Sequence, residues 1–420
     1  MKYYVLVFMC IFALAVPALC QDALDDDASQ DTATISKDEF NALKAKIADL
    51  EQRLQQITGQ QNQTSDNAEE QPYETGSEAS SSAQSAGKAL ALPDISFIGQ
   101  AKWMTSSDKL DDRRNSLRLS EGELGIQGWV YPNVKADAYI SMSPAEDSPA
   151  QLEECYLSYL GLYKGLNFNV GKKYVPFGRT NMLHSHSWPW VNRPLAFTNM
   201  VAEENLTGEG LQLSYLLPTQ SGLFVEADLG TWAGGESGES TDLPDIVVGP
   251  GAAFSNRFNT ARLWTGYPVS PNDEIELGGS YTEGDSDDLI LLTGRTRLTG
   301  ADFSYRHFGD NDTRFLLRGE QFWRKDMDDP TAKTANGYYV YSDYRLNKYN
   351  SIGTMYSWSQ FPQATDLHEW AYSLIYTHQF SEQYYVRVQG NHGSRPDSDS
   401  YNELWLQWVW GIGPHTHNLE

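Results

Sequence analysis

From Ile95 onward, apolar and polar residues alternate with a period of two. Val134, Ala136, Ala138 and Ile140 alternate with Lys135, Asp137, Tyr139 and Ser141. The same pattern runs through Leu211–Tyr215, Phe224–Leu229, Glu274–Tyr281, Trp370–Thr377 and Leu404–Ile412. Each stretch predicts a strand of roughly ten residues with one apolar face, the length a tilted membrane strand requires. Strands of a soluble sandwich average only about five or six residues. Short turns are expected at Tyr131–Asn133, Tyr163–Gly165, Pro218–Gly222, Pro268–Asp273, Gly309–Asp312, Asn347–Asn350 and Ser381–Gln383. Longer polar loops are expected at Thr105–Ser116, Ser143–Gln151, Pro176–Thr207, Trp232–Ala253, Glu283–Thr293, Lys325–Ala335, Phe361–Leu367 and His392–Tyr401. Alternation of the two kinds predicts an all-β fold, a 16-stranded antiparallel transmembrane β-barrel over residues 95–413 with a tail at 414–420. Fourteen or eighteen strands stay open, because Leu289–Leu292 could belong to a strand. An even strand number with short periplasmic turns places both termini in the periplasm.

Before the barrel the grammar differs. Lys2 precedes an apolar run, Val5–Leu19, ending Ala18-Leu19-Cys20, which predicts a signal peptide over residues 1–20. Acylation of Cys20 is the alternative, though Leu19 is bulky for that motif. An acidic segment, 21–35, leads into a helix over 36–58, begun by the Ser36/Glu39 capping box and stopped by Gly59. Its seam of Phe40, Leu43, Ile47, Leu50, Leu54 and Ile57 is spaced by threes and fours, a short coiled coil. So narrow a stripe predicts a homo-oligomer, with a trimer favoured over a dimer; packing of the helix on its own chain is the alternative. Residues 59–94 are polar and predict a disordered spacer.

Composition narrows the function. With 56 acidic against 31 basic residues, the net charge of -25 excludes a nucleic-acid partner. Three cysteines, one of them (Cys155) left after signal cleavage, exclude a disulfide framework and a typical zinc site. A mean hydropathy of -0.51 excludes a bundle of membrane helices. Outer-membrane lipid is then the expected surroundings, in a Gram-negative bacterium.

The segment Asn169-Val170-Gly171-Lys172-Lys173-Tyr174-Val175-Pro176-Phe177-Gly178, together with the signal, coiled coil, spacer, barrel and closing Gly411–His415, resembles the LbtU-like siderophore porin family, typified by the legiobactin receptor. The likeness runs over essentially the whole mature chain. It implies a sixteen-stranded barrel that imports an iron–siderophore complex. The end His417-Asn418-Leu419-Glu420 departs from the aromatic terminus common in such barrels, so Trp408 or Trp410 would supply the assembly signal internally.

The loop from Pro176 to Thr207, 32 residues, is the longest. By analogy with the layout of sixteen-stranded porins it is expected to fold into the lumen as a pore constriction, carrying Arg179, His184, His186, Trp188, Trp190, Arg193, Glu203 and Glu204; the alternative is packing on the rim. Strand parity aims Glu121, Glu123, Asp137, Glu226, Asp228, Glu274 and Glu276 inward as an acidic wall. Arg306, Arg318, Arg345 and Arg387 form a basic wall, with Asp302, Glu320 and Asp343 among them. Such a transverse field would orient mixed-charge solutes.

No catalytic motif appears, no cofactor is implied, and His184-x-His186 and His415-x-His417 read as ordinary polar pairs rather than metal ligands. Expected, therefore, is an outer-membrane porin for a small-molecule solute, ferric siderophore by resemblance, without a TonB-type plug. The alternatives are a general or other solute-selective trimeric porin (sugar, dicarboxylate or anion) and a non-conducting structural or adhesive barrel. An outer-membrane hydrolase would need a Ser–His pair on the outer face, and His378 has no evident Ser partner there.

Overall fold

The computed structural model describes residues 93–414, apart from 110, 112, 145–149, 203, 220–221, 235–253, 287–293 and 397. The expected signal, acidic segment, coiled coil and nearly all of the spacer, together with Glu203, Leu289–Leu292 and the tail from His415, lie outside the described residues.

Sixteen strands follow one another: β1 (Asp94–Ser106), β2 (Ser116–Tyr131), β3 (Val134–Met142), β4 (Gln151–Tyr163), β5 (Leu166–Tyr174), β6 (Thr207–Leu216), β7 (Phe224–Ala233) and β8 (Phe254–Ser270) form the first half. The second half is β9 (Asp273–Ser286), β10 (Gly294–Phe308), β11 (Arg314–Asp326), β12 (Ala335–Asn347), β13 (Asn350–Phe361), β14 (Ala364–Ser381), β15 (Tyr384–Arg395) and β16 (Ser398–Ile412). Each pairs antiparallel with its chain neighbours, and β1 pairs with β16 from Phe97↔Ile412 to Ser106↔Glu403, closing the barrel. Closure leaves no edge strand, so every strand meets a partner on both sides.

Side chains alternate across this wall as the sequence pattern requires. Leu229, Leu263, Tyr372 and Leu374 face outward at 55–62% exposure. Gln100, Glu123, Arg318, Gln389 and Gln407 face inward and are buried. At the end that carries the short turns, Tyr131, Tyr163, Tyr267, Phe308, Tyr344, Tyr349, Phe380 and Tyr384 stand exposed as a ring. An apolar outer band bordered by aromatics, around a polar interior, is the arrangement of a transmembrane barrel. Both ends of the barrel lie at this turn end.

The connections need correction in places. Phe361–Leu367 and His392–Tyr401 were expected as long loops, yet β13 and β14 are joined through Pro362-Gln363, and β15 and β16 by residues 396–397. Here the hydrogen-bond ladder continues past the end of the apolar alternation, with Phe361 paired to Ala364 and Arg395 to Ser398. A strand can outrun the membrane, and its polar extension then reads as loop. The Pro268–Asp273 turn shrinks to Pro271-Asn272, because β8 runs through Pro268 by a register shift between Pro268 and Ser270.

Candidate functional site in the lumen

The connection between β5 and β6 enters the barrel. Its entry follows from the backbone of the Pro-Phe-Gly turn: Gly178 has φ +58, and a Cβ there would collide with the Glu320 carboxylate. The Gly178 turn lets the Arg179 and Thr180 amides donate to Glu320 at 3.1 and 2.9 Å, while the Tyr339 hydroxyl donates to the same carboxylate at 2.6 Å. Asn181 staples the two loop ends. Its amide donates to the Val175 and Leu206 carbonyls at 2.9 Å each, and its oxygen accepts from the Leu206 N–H at 2.6 Å.

Two single-turn 3-10 helices, Thr180–Met182 and Ser185–Ser187, and the short helix α1 (Leu195–Met200) carry the loop across the lumen. On one side it meets β10 to β14. Val175, Phe177, Trp190, Phe197 and Met200 bury themselves against Leu298, Leu316, Phe322, Tyr339, Tyr341, Met355 and Ile375, which are apolar residues on the inward parity of those strands. Trp190 is wholly buried, edge-on to Tyr339 and Tyr341 at 5.4 and 5.3 Å. Polar ties surround this core. The Ala196 N–H donates to Ser357, Asn199 to Glu369, Arg324 to the Met200 carbonyl, Arg387 to the Trp190 carbonyl, and the Val191 N–H to Gln389.

On the other side the loop meets β2 and β4. His184 Nδ1 lies 2.7 Å from Glu123 and 3.0 Å from Glu153, and its Nε2 lies 3.0 Å from Glu154. Burial of the ring works against its charge, but the neighbouring carboxylates, Glu123 foremost, hold the imidazolium well above the usual histidine range. His186 Nδ1 lies 3.6 Å from the same Glu123 oxygen, and Ser185 donates to Glu121.

The expected constriction residues therefore separate by role. Arg179 ion-pairs with Glu276, and His184 and His186 face the β2–β4 wall. Trp188 and Trp190 are buried and anchor the loop, Trp188 also bordering the cavity below it. Arg193 stacks on Trp188 at 4.6 Å and on Phe197 at 5.4 Å, so it too fixes the loop. Glu204 is exposed, away from the buried contacts.

Of the acidic wall, Glu123, Asp137, Asp228 and Glu276 are buried on the inward face, and Glu121, Glu226 and Glu274 are less enclosed. Glu274 and Glu276 share Arg306, so this basic-wall arginine neutralises acidic-wall partners. The opposition of two walls is also interrupted by a residue sequence reasoning missed. Arg262, on β8 among the acids, binds Asp302 of β10 through two hydrogen bonds of 2.7 and 3.0 Å. Even parity with Thr260 on β8 was the available signal. Arg318 is fully buried. Arg314, Arg345 and Arg387 line a cavity below the loop with Asp343, Tyr341 and Tyr385, opening near the Lys348-Tyr349 turn. His378 sits close to Asn350 at 2.8 Å rather than to a serine, and Cys155 is a free thiol on the exposed face.

No family model matches the sequence. A protein of Aquifex aeolicus, described only as uncharacterized, is 25% identical over 300 residues, covering 63% of this chain and 62% of that protein. The chain thus spans about three-fifths of that relative's length. Among solved structures, the anion-selective porin from Comamonas acidovorans superposes with a TM-score of 0.53 at 14% identity, over 77% of this chain and 99% of the porin. A loop-deletion mutant of OmpT, an outer membrane protein of Vibrio cholerae, superposes at 0.52 with 10% identity, over 77% of this chain and all of that one (100%). At such identities the likeness is one of fold: this is a porin-like, closed sixteen-stranded β-barrel.

Proposed function

We propose that the chain is an uptake porin of the outer membrane, with the short-turn end in the periplasm, whose solute is a ferric siderophore. The observation that carries the transport reading is the loop from Val175 to Leu206, which crosses a polar lumen and is tied to opposite walls. A packed interior loop narrows the route and puts chosen side chains along it, which is how a wide barrel discriminates among solutes. The siderophore rests on the resemblance carried by residues 169–178. Self-association, as a trimer, rests on the heptad seam ahead of the barrel. Transport rather than catalysis is the role proposed, since Glu320, Glu369, Arg387 and Gln389 of the lumen wall are engaged in holding the loop.

A second reading has its own support. The arginine-lined cavity below the loop favours a simple anion or dicarboxylate over a bulky iron complex. Planar-bilayer recording of the purified protein tests conduction, and a barrel that never opens would be structural or adhesive. Growth on ferric siderophore as sole iron source, with and without the gene, tests the solute. Equal growth beside normal conductance would move the assignment to the anion reading.

A further inference from the structure

Where the loop meets β2 and β4, the side chains of Glu121, Glu123, Glu153 and Glu154 converge on His184 and His186, both histidines 2% exposed. Lys102 and Arg193 carry the positive charges that act on Glu121 from nearby. Four carboxyl groups thus meet two such cations and the His184 ring in a space shielded from water. The geometry at His184 is the informative part. Its Nε2 faces Glu154 at 3.0 Å, and its Nδ1 faces Glu123 at 2.7 Å and Glu153 at 3.0 Å. With the Nε2 proton donated to Glu154, Nδ1 meets these two carboxylates either through its own proton, as in the imidazolium, or through a metal ion that takes that proton's place.

We propose that this is a divalent transition-metal site, with Nδ1 of His184 and the carboxylates of Glu123 and Glu153 as ligands. Glu154 is then a positioning residue that fixes the tautomer and aims the ring, the carboxylate–histidine–metal arrangement that tunes many sites. The ligand atoms of this trio lie within 4.8 Å of one another. Metal bonds of about 2.0–2.2 Å put tetrahedral ligand atoms roughly 3.3–3.5 Å apart, so the two Nδ1 contacts would open by about half an ångström. His186, which reaches the same Glu123 and forms a second trio with it and Glu121, stands beside the open coordination position. Imidazole with carboxylate and no thiolate suits Zn²⁺, Fe²⁺ or Mn²⁺ and disfavours Cu(I). Ca²⁺ would call for an all-oxygen shell. The ligands come from β2, β4 and the loop, so an ion here would clamp the loop to the wall whatever solute passes.

The test uses the full chain, folded in detergent, stripped with EDTA and dialysed against Zn²⁺ or Co²⁺. The expected result is about one Zn²⁺ per chain by mass spectrometry of the metal, and visible d–d absorption with Co²⁺ that Zn²⁺ displaces. Binding should vanish in H184Q and E123Q, weaken about tenfold or more in E154Q, and persist in H307Q. Heat-modifiable mobility on gels confirms that each variant is folded. If a ligand variant does not fold, the Co²⁺ spectrum of the unaltered protein decides alone. Absence of both the Co²⁺ band and bound Zn²⁺ in the folded wild-type chain would overturn the site and leave protons as the neutralising charge. Unchanged binding in folded H184Q would overturn it equally.

Discussion

Substituting Leu374 by Arg probes directly whether the apolar face of this barrel meets lipid. Leu374 is 62% exposed, projects from the middle of β14 between Tyr372 and Tyr376, and pairs with Thr354 and Gly390. It lies six residues along the strand from Phe380, a member of the exposed aromatic ring. At about 3.3 Å per residue and a strand tilt near 40°, that is a height of roughly 15 Å above the ring. An apolar band about 25 Å tall has its middle at roughly 12 Å, so residue 374 sits close to the bilayer midplane. Arginine there should cost about 2–4 kcal/mol of folding free energy. Leu346, 43% exposed but next to the Asn347 turn, supplies the comparison, because Arg at the interface costs about 0–1 kcal/mol. Reversible guanidinium unfolding from lipid vesicles, followed by tryptophan fluorescence, measures both. In a water-soluble barrel a surface Leu→Arg change would fall within about 0.5 kcal/mol at either position. Equal, small effects at 374 and 346 would therefore refute the lipid-facing assignment, and the transport reading with it.

Deleting residues 182–200 should raise single-channel conductance with the barrel still folded; unchanged conductance would contradict the loop's place across the lumen. W190A should instead loosen it. Large-to-small changes at a packed Trp cost about 3–5 kcal/mol, and that loss falls on loop docking, so flickering to a larger conductance level is expected where wild-type traces are quiet. R262A leaves Asp302 buried without its two guanidinium hydrogen bonds and should destabilise the barrel by about 3–5 kcal/mol, whereas the double replacement R262M/D302L should recover most of that. A loss no larger in R262A than in the double variant would show that the pair contributes little. Reversal potentials in a salt gradient should reveal no marked anion selectivity while Glu226 and Glu274, the less enclosed acids of the wall, face the lumen; strong anion preference would contradict the charge placement.

The barrel was legible because its signal is local and repeated. Period-two alternation sets which face each residue takes, and closure follows once every strand has the same two-faced character. Where the alternation ended, the reading ended too. The tips of β13 to β16 carry polar residues on both faces, so Phe361–Leu367 and His392–Tyr401 looked like loops although backbone pairing runs on to two-residue turns. A hydrogen-bond ladder depends on the partner strand's reach, and no pattern within one segment records that.

The lumen was less legible, and the reason lies in the exceptions to the pattern. Leu298, Leu316, Phe322, Met355 and Ile375 occupy inward positions, where an aqueous pore calls for polar side chains. Taken one at a time they look like noise on four strands. Together they mark the stretch of wall from β10 to β14 on which the loop's own apolar residues settle, and the count of such exceptions could have named that wall in advance. Nothing comparable points to the opposite wall. Glu123 and Glu154 are ordinary lumen acids by parity, Glu153 joins them only through the register shift of β4 against Tyr139 and Ile140, His184-x-His186 is an ordinary pair by spacing, and they meet only because the loop reaches across. The Pro-Phe-Gly turn is the link between the two. Gly178 gives the left-handed turn that hands two amides to Glu320 on one side and sends His184 toward Glu123 on the other. A side chain at position 178 should thus disturb both contacts at once, although one belongs to β11 and the other to β2.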